Sequence, residues 1–290
     1  MLLIGRILPF VHQVRETPVM NGTASVLLVG CGRMGGALLK GWQARGVAIE
    51  QLWVVEPDAA MRAGMQEGVH KVATAADLPA NLRPEAVVFA VKPQNMAATV
   101  AGYRPLATGT VFLSIAAGKS IAWFEDNLGS AAAIVRAMPN TPAAVQRGIT
   151  VACGNANVDT AGHALCTNLL EAVGSVAWID DESLMDAVTA VSGSGPAYVF
   201  LLVESLTRAG QAAGLPADLA ERLARLTVAG AGELLYRTAD SASILRQNVT
   251  SPGGTTAAAL AVLMDSQNGL DPLLTEAVAA AAARSRTLGP

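Results

Sequence analysis

The sequence predicts an α/β chain in two parts, a strand-and-helix half followed by an all-helical half. Three observations carry that expectation. Short aliphatic runs, VLLVG at 26–30, LWVVE at 52–56, AVVFAV at 86–91 and TVFLSI at 110–115, alternate with helical patterns, the mark of a mostly parallel sheet. The first run opens into Gly30-Cys31-Gly32-Arg33-Met34-Gly35 and then an apolar helical face. After Asp180 strand-type runs stop, and apolar residues recur at helical spacing. The boundaries expected are an extension over residues 1–25, an α/β domain over 26–180 and a helical domain over 181–290.

Composition narrows the class. The 290 residues suffice for two domains. With 52% hydrophobic and 15% charged residues, much surface must be covered, which points to self-association. The uncharged stretch 187–203 is broken by SGSGP, which argues against a membrane span. A net charge of −3, no Lys/Arg run and 4% aromatics argue against nucleic acid. Cys31, Cys153 and Cys166 are odd in number and lack C-x-x-C spacing, as reduced thiols of a cytoplasmic protein do. His12, His70 and His163 are scattered, so no metal site is expected.

Along the chain, LLIGRILPF near the start is interrupted by Arg6 and Pro9 and lacks the clean apolar core of a signal peptide. Met20 is a candidate start, and weak order is expected over 1–25. The glycine pattern then follows a strand and precedes a helix, which makes it a dinucleotide fingerprint rather than a bare turn. Gly30 would make the tight turn, Gly32 admit the pyrophosphate and Gly35 let the helix pack on the sheet, with Cys31, Arg33 and Met34 in the same loop. Glu56 stands about 20 residues further on, where an acid holds the adenosine ribose and favours NADH. Arg62 could still reach a 2′-phosphate, and a solvated strand end is the plainer alternative for Glu56.

Val91-Lys92-Pro93-Gln94-Asn95 leaves the carboxyl end of a strand, where doubly wound folds bind ligands. Lys92 and Asn95 could meet the cofactor, although Lys92 fits a solvated loop charge as well. Ala116 and Ala117 are small enough for a flat ring to approach. Two prolines stiffen Met138–Pro142 and support Asn140 and Thr141. A strand over 148–152, a helix over 158–173 and a strand over 175–179 complete this half.

The helical half reads as 184–191, a break at SGSGP, then 198–213, 217–236 and 272–287. Helices apolar on several faces are buried ones, so a symmetric homodimer through this domain is expected. Between them lies TSPGGTTAAALAVLM, residues 250–264. Ser251 suits an N-cap and Pro252 a first-turn position. Gly253 and Gly254 permit unusual backbone geometry. The free N–H groups at such a helix start suit a carboxylate, with the Thr255 and Thr256 hydroxyls beside it. A capped core helix without a ligand is the bland alternative. Together the halves suggest hydride transfer between a nicotinamide and a small carboxylate-bearing molecule; no Ser/His/Asp or Cys/His set competes.

VGCGRMGGAL, FAVKPQ, SIAAG, RAMPNTPA, VSGSGPAYVF and LRQNVTSPGGTTAAAL resemble, in order, segments of the pyrroline-5-carboxylate reductases. That resemblance implies a Rossmann-type dinucleotide-binding domain followed by an all-helical dimerisation domain. It implies NADPH- or NADH-dependent reduction of Δ1-pyrroline-5-carboxylate to L-proline, the last step of proline biosynthesis. Ser251, Gly253, Gly254 and Thr255 would hold the substrate carboxylate, and Thr256 would meet the ring nitrogen as the catalytic residue. Residues 30–35 and Lys92 would meet the cofactor, with Ala116 and Ala117 near the nicotinamide; Val91, Pro93 and Asn95 join them as expected contacts from their place in the loop around Lys92. Dimers, or rings of dimers, are implied. Asp240-Ser241-Ala242 departs from the acidic-His-Pro stretch of many relatives, and many carry a basic or neutral polar residue in place of Glu56 and favour NADPH. A related imine or β-hydroxyacid reductase is one alternative, weakened because no lysine follows Lys119. A non-catalytic NAD(P)-sensing module is another, but it leaves the SPGGTT turn without a purpose.

Overall fold

The computed structural model describes residues 25–288. Apart from Ser25, the extension expected to be weakly ordered lies outside these. The chain divides into two compact units: described residues up to 196 together with those from 278 onward, and residues 197–277.

The first unit is built on one eight-stranded sheet: β1 (Val26–Val29), β2 (Leu52–Val55), β3 (His70–Val72), β4 (Ala86–Phe89), β5 (Val111–Ser114), β6 (Ala133–Met138), β7 (Gly148–Gly154) and β8 (Gly174–Trp178). The order is β3-β2-β1-β4-β5-β6-β7-β8. Every pair is parallel except β6 with β7. Helices α1 (Arg33–Ala44), α2 (Ala59–Ala63), α3 (Met96–Val100), α4 (Ile121–Leu128) and α5 (Thr160–Glu171) belong to it.

The central strands read as unbroken apolar runs because both faces are buried. Successive side chains alternate between two cores. Val26 and Leu28 join Leu38, Trp42, Leu169 and Leu170. Leu27 and Val29 join Phe89, Tyr103, Phe112 and Phe124. Two strands carry no such signal. His70 and Lys71 of β3 are exposed at the sheet edge, and β6 carries Arg136 in its middle. That guanidinium is paired at 2.7 Å with Glu182, whose carboxylate also accepts from the Ile121 N–H at the start of α4.

The helical part comprises α6 (Met185–Val188), α7 (Gly195–Ala212), α8 (Ala217–Arg237), α9 (Ala242–Asn248), α10 (Thr255–Leu263) and α11 (Leu270–Leu288). The regular α-helix is interrupted at SGSGP as expected: a π-helical turn, Thr189–Gly193, follows α6, Ser194 is a bend, and α7 begins at Gly195. Pro196 is tolerated because it falls in the first turn of α7, where no N–H is required. Ser285 of α11 donates to Asp186 of α6 at 2.6 Å.

In residues 197–277 the buried residues are Ala220, Ala224 and Gly269. Val199, Phe200, Leu201, Leu202, Leu223, Leu226 and Leu234 are exposed. Apolar surface on that scale marks an interaction face. One helical run among the described residues, Glu182–Ala212, is long and apolar enough to cross a membrane by length and composition.

Candidate active site

Register places the predicted cofactor residues along one edge of the sheet. Val29 of β1 pairs with Val55 and with Phe89, Phe89 with Ser114, and Ser114 with Arg136. The residues just beyond those strands, Gly30, Glu56, Ala90-Val91 and Ile115-Ala116, therefore share the carboxyl edge. In open α/β sheets this is the ligand edge, and the β1/β4 switch point lies at its centre.

The three glycines differ in what demands them. Gly30 has φ +88°, and a Cβ there would lie 2.8 Å from Val91 Cγ1. A Cβ on Gly35 would lie 2.3 Å from the Gly30 carbonyl oxygen and 3.2 Å from Ala90 Cβ, so helix α1 packs directly against the loop. Around Gly32 a Cβ would meet nothing within 4 Å. Gly32 is the N-cap of α1 and has no side chain to cap it, so the helix start presents unpartnered N–H groups to open space. That cradle fits a pyrophosphate. Arg33 is exposed at the first position of α1 and Met34 is half-buried.

Glu56 is not a solvated strand end. It is 8% exposed. Its Oε2 accepts from the Cys31 N–H at 2.7 Å and its Oε1 from the Asp58 N–H at 3.0 Å. The carboxylate thus ties the end of β2 to the glycine loop. Arg62 donates to the carbonyls of Glu56 and Pro57 at 2.5 and 2.7 Å, so this guanidinium serves the backbone of the β2 loop. Burial and the nearby Glu56 raise the Cys31 thiol above its ordinary value, against Lys40, and burial pushes Cys166 up to about 12. Both stay protonated at neutral pH, and neither is a nucleophile there.

Lys92, Pro93 and Asn95 lie exposed after β4, Val91 is half-buried and Pro93–Asn95 forms a 3₁₀ turn. Ala116 is buried and Ala117 half-buried after β5. Asn140, beyond β6, accepts from the Ile149 N–H at 3.0 Å and donates to Ser192 Oγ at 3.3 Å. That link joins positions 52 residues apart and has no local sequence signal.

The SPGG turn belongs to the other unit. Here the structure corrects the expected cap: α10 begins at Thr255, its N-cap is Gly254, and no side chain caps it. Ser251 and Pro252 lie in the turn before it. Gly253 has φ +70°, and the Gly254 N–H donates to the Ser251 carbonyl at 3.1 Å. Proline second and a left-handed glycine third is the pattern of a type II turn, and helical geometry cannot start before it ends. A Cβ on Gly254 would lie 2.4 Å from Ser251 Oγ, so that hydroxyl leans over the start of α10. The uncapped N–H groups, this hydroxyl, the exposed Thr255 and the half-buried Thr256 make an anion-receptive end.

A glycine cradle at a sheet's switch point is the arrangement in which doubly wound folds hold a dinucleotide, and the uncapped turn on the helical unit is receptive to an anion. Comparison with known proteins sharpens this. The family of NADP oxidoreductases described as coenzyme F420-dependent matches residues 25–118, and that of pyrroline-5-carboxylate reductase dimerisation matches 182–288. The pyrroline-5-carboxylate reductase of Pseudomonas aeruginosa is 39% identical, over 92% of this chain and 97% of its own. That of Mycobacterium tuberculosis is 40% identical, over 93% and 98%. Among solved structures, a pyrroline-5-carboxylate reductase from Coxiella burnetii superposes with a TM-score of 0.87 at 34% identity, over 92% of this chain and 99% of that one. The Plasmodium falciparum pyrroline carboxylate reductase with NADP bound gives 0.77 at 30% identity, over 93% and 99%. The chain belongs to the pyrroline-5-carboxylate reductase family.

Proposed function

We propose that the chain reduces Δ1-pyrroline-5-carboxylate to L-proline, the last step of proline biosynthesis, using NADPH or NADH. The observation that carries the residue-level reading is the uncapped start of α10 behind the SPGG turn. The nicotinamide supplies the hydride that adds to the C=N carbon. The Ser251 hydroxyl and the first N–H groups of α10, with Gly253, Gly254 and Thr255 shaping the turn, hold the substrate carboxylate. The Thr256 hydroxyl accepts from the protonated ring nitrogen and orients it. Threonine is too weak an acid to donate that proton at neutral pH, so protonation comes from solvent before the transfer. A ring fixed at its carboxylate and its nitrogen presents one face only, and this placement supplies much of the rate.

The test is loss of nicotinamide absorbance on adding Δ1-pyrroline-5-carboxylate, with NADH and NADPH side by side. Oxidation without dependence on that substrate would overturn the reading. Thr256→Ala should lower turnover roughly 10–100-fold, as loss of one positioned polar group does; parental turnover at saturating substrate would remove Thr256 from the mechanism.

For the cofactor we propose an NADH preference set by Glu56. Its carboxylate is held by two backbone N–H groups and opposes a 2′-phosphate in the same place. Glu56→Gln should move the NADPH/NADH ratio of kcat/KM up about tenfold, the effect of about 1.4 kcal/mol. An unmoved ratio would assign the choice elsewhere.

The exposed apolar faces of α7 and α8 support a homodimer through the helical domain, with rings of dimers as the larger assembly. The apolar run 182–212 serves that packing rather than a bilayer: it carries Glu182, Asp186 and the Glu204–Arg208 pair. The working location is the cytoplasm, with no nucleic-acid partner. Light scattering of the purified chain checks the assembly.

A further inference from the structure

Two sequence segments, Met138–Pro142 and Val191–Pro196, hold no residue assigned above to cofactor or substrate. The structure joins them twice. The Asn140 amide donates to Ser192 Oγ at 3.3 Å while its carbonyl oxygen accepts from the Ile149 N–H at 3.0 Å. A Cβ on Gly193 would lie 2.5 Å from Met138 Cε, so the Ser192-Gly193 backbone rests directly on the end of β6. Both residues belong to the π turn Thr189–Gly193. π turns carry one residue too many for an α-helix and concentrate at functional positions.

The place of the contact gives it meaning. Arg136 of β6 pairs with Ser114 of β5, so Met138 is level with Ala116 at the carboxyl edge. On the cofactor assignment proposed above, Glu56 at the end of β2 would hold the adenosine end of a dinucleotide and the β1 glycine loop its pyrophosphate. The nicotinamide end would then be held on the other side, by the loops after β4, β5 and β6. The π turn stands at that end.

We propose that Asn140 is a positioning residue for the reduction: its amide holds Ser192 and the π turn against the end of β6 as the wall that seats the nicotinamide ring for transfer. This rests on the reductase reading above. The bond to the Ile149 N–H fixes the amide itself, and the two flanking prolines stiffen its backbone. Ser192 then has one orientation available, and the turn cannot drift from Met138. A wall of this kind acts on the geometry of transfer, not on the grip on adenosine or pyrophosphate, which lies strands away.

The experiment uses the full chain with Ser192→Ala, Asn140→Ala and Asn140→Asp. An aspartate accepts from the Ile149 N–H and from the Ser192 hydroxyl, so it keeps the bridge with the donor reversed. Ser192→Ala and Asn140→Ala should lower kcat about 10–100-fold, the effect of a displacement on the order of 1 Å. Dissociation constants for NADH and NADPH should stay at the parental value. The isotope effect on kcat, read with cofactor deuterated at the transferring carbon, should rise as transfer becomes slower. Asn140→Asp should recover most of the lost turnover. Parental kcat in Ser192→Ala overturns the proposal. So does a fall in kcat matched by weaker cofactor binding and a lower Tm, which marks a merely structural bond. An Asp variant no better than Ala overturns it too. If the parent itself fails to oxidise nicotinamide with Δ1-pyrroline-5-carboxylate, the reductase reading fails and this inference with it; an active parent with unaffected variants removes this inference alone.

Discussion

Gly32→Ala is expected to fold as the parent does and to bind NADH and NADPH at least about 30-fold more weakly, a loss of about 2 kcal/mol. A Cβ on Gly32 meets no protein atom within 4 Å, so no clash disturbs the fold. Its cost to stability is limited to the poorer N-cap that alanine makes, at most about 1 kcal/mol, or roughly 2–4 °C in Tm for a chain of this size. The open space it fills is where the pyrophosphate must approach the N–H groups of α1. Gly35→Ala is the contrasting variant. Its Cβ would meet the Gly30 carbonyl oxygen at 2.3 Å, a backbone atom that cannot rotate away. Helix α1 must then move off the loop, at a cost typical of overpacking, about 1–3 kcal/mol. Gly35→Ala should therefore lose Tm and cofactor binding together. Calorimetry and a nucleotide titration separate the two. Parental affinity in Gly32→Ala would mean that the cradle at α1 is not the pyrophosphate site.

Much of this was legible in the sequence, and what was not has physical causes. The central strands were legible because both of their faces are buried, so apolar content alone marks them. β3 was not: a three-residue edge strand with His70 and Lys71 exposed carries no burial signal. β6 hid behind Arg136, whose charge is compensated by Glu182, a residue 46 positions on. Glu56 could be singled out by its distance from the glycines. Its bonds to the Cys31 and Asp58 N–H groups could not, because they depend on how the loops return to the edge of the sheet. SGSGP reads as a helix break because glycine and proline usually are one, and the α-helix does break there; the form of the break, a π turn ending at Gly193 against Met138, has no sequence signal. The same limit applies to Ser251. A serine before a proline looks like a helix start, but Gly253 at φ +70° delays the helix to Thr255.

That delay makes Gly254 the position where the substrate reading is most exposed to test. A Cβ on Gly254 would lie 2.4 Å from Ser251 Oγ and 3.2 Å from the Ser251 carbonyl oxygen. The hydroxyl is the end of a rotatable side chain, so it can swing away while the backbone gives only slightly. In Gly254→Ala the turn and α10 should persist, and Tm should fall by no more than the poorer alanine N-cap costs, at most about 1 kcal/mol. What changes is the direction of the Ser251 hydroxyl, together with a methyl group beside the first free N–H groups of the helix. Hydrogen bonds to a charged carboxylate are each worth about 1.5–3 kcal/mol, so KM for Δ1-pyrroline-5-carboxylate should rise roughly 10–100-fold. NADH and NADPH affinity should not move, because the glycine loop belongs to the other unit. Ser251→Ala removes the hydroxyl without adding bulk at the helix start and should give part of the same rise. A Gly254→Ala enzyme with parental KM would show that the carboxylate is held elsewhere, and α10 would revert to a helix whose start serves packing alone.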